Sequence, residues 1–298
     1  MLTTISGSRL ADHLLGGHMK VFAAIGLAVA ILFAAWSPAC AQPPEAKRNP
    51  GGISMKSVRS LNQKGGGPKL IGGQPAKSTD WPASFVSDAE IGSCTATLIG
   101  PKALLLAAHC VGNGQQAQIK VEGKSFSGTC THAPEWKDDP SADYALCQMS
   151  EPIAEIVFET VNIDANRLKN GQSILLSGYG CVQAAAPGQT QGTGGNDGVF
   201  RIGEAKVAAL PGDSGNEPNT ILTRDAAMVC QGDSGGGSYL ILTSRRLLLA
   251  VNSRVWFEKG ESYLSSVSSI DGLAFILNWI KANKEKVCGI NLKGPSCR

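Results

Sequence analysis

Residues Cys230-Gln231-Gly232-Asp233-Ser234-Gly235-Gly236-Gly237 set four glycines and one acid around a single serine. Such a run is a poor strand or helix interior. Glycine loses the most conformational freedom on ordering, and it is used where the backbone is strained or closely approached. The fold must therefore hold this stretch as a turn. A serine there exposes its hydroxyl, and the neighbouring N–H groups can converge on one point. That is what acyl transfer needs, a nucleophile beside a small anion-binding pocket. A glycine-rich surface loop has the same composition, so the decision rests on whether the chain also supplies a base, an acid and a scaffold.

The scaffold reads as all-β. Segments 95–99, 103–107, 118–122, 144–149, 173–177, 201–208 and 246–252 are short, strand-like and separated by Gly/Pro turns. Residues 182–198 read as a long flexible loop. Residues 271–285 carry Leu273, Ile276, Leu277 and Ile280 at helical spacing and predict a helix packed on the core. With 298 residues, 43% hydrophobic and 17% charged, the chain has material for one large or two ordinary domains. A formal charge of +3 is too small to argue for nucleic acid or an anionic membrane. The sequence contains no metal-ligand cluster, phosphate loop or nucleic-acid motif, so no cofactor or metal and no nucleic-acid partner are expected.

The N-terminal region reads as targeting. Lys20, the apolar run 21–36 and Ala39-Cys40-Ala41 follow the layout of a secretory signal peptide, residues 1–41, with cleavage before Gln42. An uncleaved membrane anchor is the alternative, and Met19 is an alternative start. Of nine cysteines, cleavage removes Cys40 and leaves an even number, which fits an oxidising compartment, extracellular or periplasmic. Residues 42–69, with six Lys/Arg and one acid, read as a disordered propeptide or linker ending at Lys69, just before Leu70-Ile71-Gly72-Gly73.

A base and an acid are present. Residues 92–112, GSCTATLIGPKALLLAAHCVG, predict a hairpin that ends in Ala107-Ala108-His109-Cys110. Beyond the signal peptide only His109 and His132 remain, and His132 reads as a strand-end histidine. Asp143 follows the acidic loop Asp138-Asp139 and opens an apolar strand, where an acid can be buried against an imidazole.

Ala-Ala-His-Cys together with Gly-Asp-Ser-Gly-Gly resembles the trypsin/chymotrypsin family of serine proteases. Leu70-Ile71-Gly72-Gly73, Trp81-Pro82, Ala142-Asp143-Tyr144-Ala145-Leu146 and Ser177-Gly178-Tyr179-Gly180 resemble further family motifs in the family's order, over about 70–287. The resemblance implies two six-stranded antiparallel β-barrels followed by the C-terminal helix. The expected bounds within a peptidase domain 70–298 are about 70–165 and 166–270 for the barrels and 271–285 for the helix. It also implies a serine endopeptidase with Ser234 as nucleophile, His109 as general base and acid, and Asp143 as the acid that orients it. Gly232 and Ser234 would offer oxyanion N–H groups. Cleavage of Lys69–Leu70 would free an ammonium that pairs with Asp233, making the uncut chain a zymogen; the other reading has Lys69 merely end a tail.

The resemblance implies a Cys94–Cys110 bridge across the histidine hairpin. Cys130 and Cys147 lie on strands expected to be antiparallel neighbours, and Cys288 and Cys297 are expected to close the tail. The family commonly ties the cysteine at position 230 to one around 255–260, where this chain has none, so Cys181–Cys230 is the expected fourth pair. Substrate-binding positions carried over are Met228, Gln231, Asn252, Ser253 and Arg254. Met228 stands where trypsin-like members have Asp, which does not support a preference for Lys or Arg. Expected partners are a polypeptide substrate, a protein inhibitor and an activating protease, with membrane contact only through the signal segment, for a monomer. The competing reading is a catalytically silent homologue that binds proteins.

Overall fold

The computed structural model describes residues 70–89, 92–186, 189, 191–195, 197–224 and 227–298. The expected signal peptide and propeptide, Lys69 included, lie outside the described residues. Two closed six-stranded antiparallel barrels and one C-terminal helix make up the fold, as expected from the sequence.

The first barrel closes in the order β2 (Ser84–Ala89), β3 (Gly92–Gly100), β4 (Ala103–Leu106), β7 (Ala145–Met149), β6 (Lys124–His132), β5 (Gln116–Val121). Its strands obey the period of two. In β5 Ala117 and Ile119 point inward between exposed neighbours, and in β6 Phe126, Gly128 and Cys130 do the same. β3 turns into β4 through Pro101-Lys102, and β4 stops at Leu106 because Ala108–Cys110 winds into a 3-10 turn.

The second barrel runs β8 (Ser173–Gly178), β9 (Arg201–Ala209), β10 (Thr220–Arg224), β13 (Glu261–Ser266), β12 (Arg246–Trp256), β11 (Gly237–Ile241), and closes where β11 pairs with β8. The short β1 (Gln74–Pro75) adds to β9 at Ile202 and Arg201. Helix α1 (Ile270–Asn283) is capped by Ser269, whose Oγ accepts the Gly272 N–H at 3.1 Å. It buries Phe275, Ile276 and Trp279 against the first-barrel core. The sequence reading had Leu277 on that face, but Leu277 is 45% exposed, because the buried stripe follows the two aromatics one position away.

Several strands escaped the sequence reading, namely β1, β2, β10, β11 and β13. β6 was expected only as the strand that carries Cys130 and ends at His132. Lys-Ser-Phe-Ser-Gly-Thr-Cys-Thr-His has few apolar residues, and it is held by pairing on both sides, to β5 and β7. Barrel closure, not local propensity, makes it a strand.

The barrels meet around Trp81, which packs edge-on against Tyr239 at 5.0 Å and against Phe200 at 5.6 Å between ring centroids. The Arg246 guanidinium lies 3.6 Å above the Trp81 ring and pairs with Glu159, both charges essentially shielded from solvent. Arg246 Nε donates to Glu159 Oε2 at 2.8 Å, and its Nη1 donates to the Asp80 carbonyl at 2.9 Å. A buried pair so fully bonded fixes the junction, since removing one partner of such a pair costs about 3–5 kcal/mol.

Candidate active site

His109 sits in the 3-10 turn Ala108–Cys110 at the end of β4, and the Cys94–Cys110 disulfide ties that turn to β3. Asp143 lies just before β7 and is fully buried. Its Oδ2 is 2.6 Å from His109 Nδ1, and its Oδ1 accepts the His109 backbone N–H at 2.9 Å. Ser253 Oγ, from β12 of the other barrel, donates to Oδ2 at 2.6 Å. Burial by itself would push this carboxyl up. The His109 hydrogen bond and charge, with the Ser253 and backbone donors, overcome burial and hold it below the ordinary carboxylate range. A carboxylate on Nδ1 fixes the proton there and leaves Nε2 free to accept one.

Ser234 lies in the turn between Cys230 and β11. Its carbonyl accepts the Thr95 N–H at 2.8 Å, and Thr95 Oγ1 donates to the Gly232 carbonyl at 2.7 Å. Gly235, at φ +82°, brings the turn hard against the first barrel. A Cβ at Gly235 would stand 2.2 Å from the Thr95 carbonyl and 3.1 Å from the Ala107 nitrogen. Any side chain there would push Ser234 away from the turn that carries His109.

Asp233 is fully buried beneath this turn. Its Oδ1 accepts the Gly180 N–H and its Oδ2 the Cys230 N–H, each at 2.8 Å. Burial pushes its carboxyl up to about 7, against the two N–H groups and the more distant Arg201 charge. Asp233 makes no ion pair with any described residue. Leu70 is fully buried in the second-barrel core, and the Ile71 carbonyl accepts the Met228 N–H at 2.8 Å. The segment after Lys69 is thus docked beside the Ser234 turn.

The positions expected to contact substrate separate into different environments. Met228 is half-buried, with its sulfur 3.8 Å from where a Gly260 Cβ would be. Gln231 is exposed, and its Oε1 accepts the Gly192 N–H at 2.9 Å. Asn252 is fully buried; its Nδ2 donates to the Ser177 carbonyl at 2.7 Å and the Asp233 carbonyl at 3.2 Å, and its Oδ1 accepts from Ser238 Oγ at 2.7 Å. Its side chain therefore braces the Ser234 turn from behind. Ser253 turns its hydroxyl onto Asp143. Arg254 pairs with Glu217 at 2.6 Å beside the Tyr263 ring, each partner about one-third exposed.

Glu261 went unnoticed in the sequence. It is buried next to Gly260, pairs with Arg224 at 2.5 Å and accepts the Tyr263 hydroxyl at 2.8 Å. Its burial depends on which strand faces the Met228 segment, and no local pattern carries that. His132, at the end of β6, has its Nε2 2.6 Å from the Val111 carbonyl and is not part of the site.

Four disulfides join Cys94 to Cys110, Cys130 to Cys147, Cys181 to Cys230 and Cys288 to Cys297. The third fastens the start of the Ser234 turn to the segment after Gly180. In the second, register puts Cys130 directly opposite Cys147 across β6 and β7. Among the described residues, Cys94, His109 and Cys110 cluster as metal ligands do. The two sulfurs are bonded to each other, which removes both thiolates a metal would need. A cleft of about 310 Å³ opens beside Gly232, lined by Val86, Ser93, Cys94, Tyr179 and Gly198. No helix among the described residues is long and apolar enough to cross a membrane.

In a comparison with protein families, residues 70–264 match the family model described as Trypsin.

Proposed function

The chain belongs to the trypsin family of serine proteases, and on that premise we propose that it is a secreted endopeptidase acting through Ser234, His109 and Asp143. The observation that carries the reading is the buried Asp143 carboxylate bonded at 2.6 Å to His109 Nδ1, with the Ser234 turn packed against the strands that lead to His109. Ser234 Oγ attacks the scissile carbonyl while His109 Nε2 takes its proton. Asp143 holds the imidazole in the required tautomer and stabilises its charged form. The N–H groups of Gly232 and Ser234 hold the oxyanion, donors worth on the order of 3 kcal/mol each in the transition state. His109 then protonates the leaving amine as the C–N bond breaks, and a water molecule activated by the same imidazole hydrolyses the acyl-enzyme.

The substrate is a polypeptide. Met228 offers no charge to a Lys or Arg side chain. Arg254 is engaged with Glu217, so its charge is largely satisfied within the protein. Cleavage after Lys69 activates the chain: the freed Leu70 ammonium pairs with Asp233, whose carboxylate otherwise has two backbone donors among the described residues. The four disulfides and the leader layout of residues 1–41 support export to an oxidising compartment.

A fluorophosphonate probe tests the reading. The protein cut after Lys69 is expected to label, and Ser234→Ala to abolish the label. Cut protein that neither labels nor hydrolyses a diverse peptide library would instead support the silent protein-binding homologue.

A further inference from the structure

Two buried charges of opposite sign are left incompletely compensated, and they face each other across one glycine. Asp233 is fully buried and, among the described residues, its carboxylate is bonded only to two backbone N–H groups. Arg201, the first residue of β9, is 1% exposed. Its Nη1 donates to the Val199 carbonyl at 2.8 Å, and its Nη2 reaches Asp197 at 2.5 Å, a half-exposed acid at the surface. Its Nε is buried without a partner among the described residues. The fully enclosed Glu159–Arg246 pair shows what complete compensation looks like in this molecule.

Strand register places the two charges. Arg201 pairs directly with Gly178 between β9 and β8. A Cβ on Gly178 would stand 2.2 Å from Asp233 Oδ1. The glycine that Arg201 sits beside is therefore in contact with the carboxylate, and it carries no side chain to shield one charge from the other. In a medium of low dielectric constant such a pair interacts without direct contact. Arg201 is also the cation that draws the Asp233 carboxyl down against burial.

We propose that Arg201 is the resident counter-charge of Asp233, keeping the Cys230–Ser234 turn ordered in the uncut chain and giving it hydrolytic activity before any Leu70 ammonium exists. The activity rests on the protease reading above; the ordering does not. Arg201 touches no reacting atom and acts as a positioning residue through Asp233. Once the ammonium forms, it contacts the carboxylate directly and the contribution of Arg201 becomes secondary.

The test uses the full chain with Lys69→Gln, which blocks the cut, beside the cut wild-type protein. Each is prepared with Arg201, Arg201→Lys and Arg201→Met. Two readouts are taken, the rate of fluorophosphonate labelling at Ser234 and hydrogen exchange of the Gly180 and Cys230 amides. Loss of an interaction with a charged group predicts that Arg201→Met slows labelling of the uncut chain about tenfold, and the cut protein less than about threefold. Exchange at both amides should quicken in the uncut chain, and Arg201→Lys should restore most of the labelling. In an Asp233→Asn background Arg201→Met should have no further effect.

Equal losses in the cut and uncut forms would overturn the proposal, because Arg201 would then serve the fold alone. So would an uncut chain that does not label while the cut protein does. If the cut wild-type protein fails to label, the protease reading falls, and amide exchange alone decides the ordering: unchanged exchange in Arg201→Met overturns it.

Discussion

Asp143 and Asp233 are both fully buried carboxylates, yet the protein treats them in opposite ways. Asp143 receives two side-chain donors and one backbone N–H, and it is held below the ordinary range. Asp233 receives two backbone N–H groups and a distant guanidinium, and burial pushes it up to about 7. The first barrel, helped by Ser253, presents a finished ionic site. The second barrel presents an acid whose partner is incomplete. Depth of burial does not decide which acid is ionised; the number and charge of the donors does.

The largest break in this comparison is Asp143→Asn. The amide keeps the shape but favours the wrong histidine tautomer, so kcat on a peptide substrate should fall about 10⁴-fold. A loss below tenfold would show that Asp143 does not orient the imidazole.

A second test sets the two acids apart by the pH dependence of stability. Asp233 holds its proton in the native state up to about pH 7 but releases it near pH 4 when unfolded. The native state therefore binds more protons in this window, and Asp233 makes stability fall as pH rises from about 4 to 7. Asp143, held low, contributes stability that is present above its unfolded value and lost as pH falls through its folded one. Asp233→Asn in the uncut chain should remove a downward slope worth a few kcal/mol across that window. Denaturant unfolding at several pH values reads it, and an unchanged slope would show that Asp233 is already ionised in the native state across this window.

The smallest effect is Ser253→Ala. It deletes one of the donors on Asp143, and a hydrogen bond to a charged group is worth about 1.5–3 kcal/mol. Activity should fall about tenfold or somewhat more, with the acid limb of the pH–rate profile moving to higher pH as the Asp143 carboxyl rises. An unmoved limb would mean that His109 alone sets this carboxyl.

The two halves of the site also differed in how much of them could be read. The turn 230–237 announced itself, because four glycines around a serine and an acid have few other uses. The hairpin into Ala107-Ala108-His109-Cys110 was equally legible, since its apolar runs and Pro-containing turn are local signals. The strands β10 and β13 were not. Their residues are polar or mixed, and their place follows from pairing across the closed barrel. For the same reason Asn252 and Ser253 looked like a substrate edge, and neighbours more than seventy residues away turned one inward under the Ser234 turn and the other onto Asp143. Leu277 was read as core from its spacing, but α1 rotates to bury Phe275 and Trp279, which fill more volume against the first barrel.

The sequence by itself determined the chemistry present: which serine, histidine and acids exist, the turn that one of them must occupy, and an all-β chain stapled by cysteines. Those follow from residue type and local spacing. Tertiary structure alone decided the environments. Whether a carboxylate is ionised depends on donors brought from distant strands. Gly178 set against Asp233, Arg201 paired beside it and Ser253 on Asp143 are contacts made by strand register and barrel closure. Electrostatic free energy in a buried site depends on distance and desolvation, and neither is fixed until the barrels have closed.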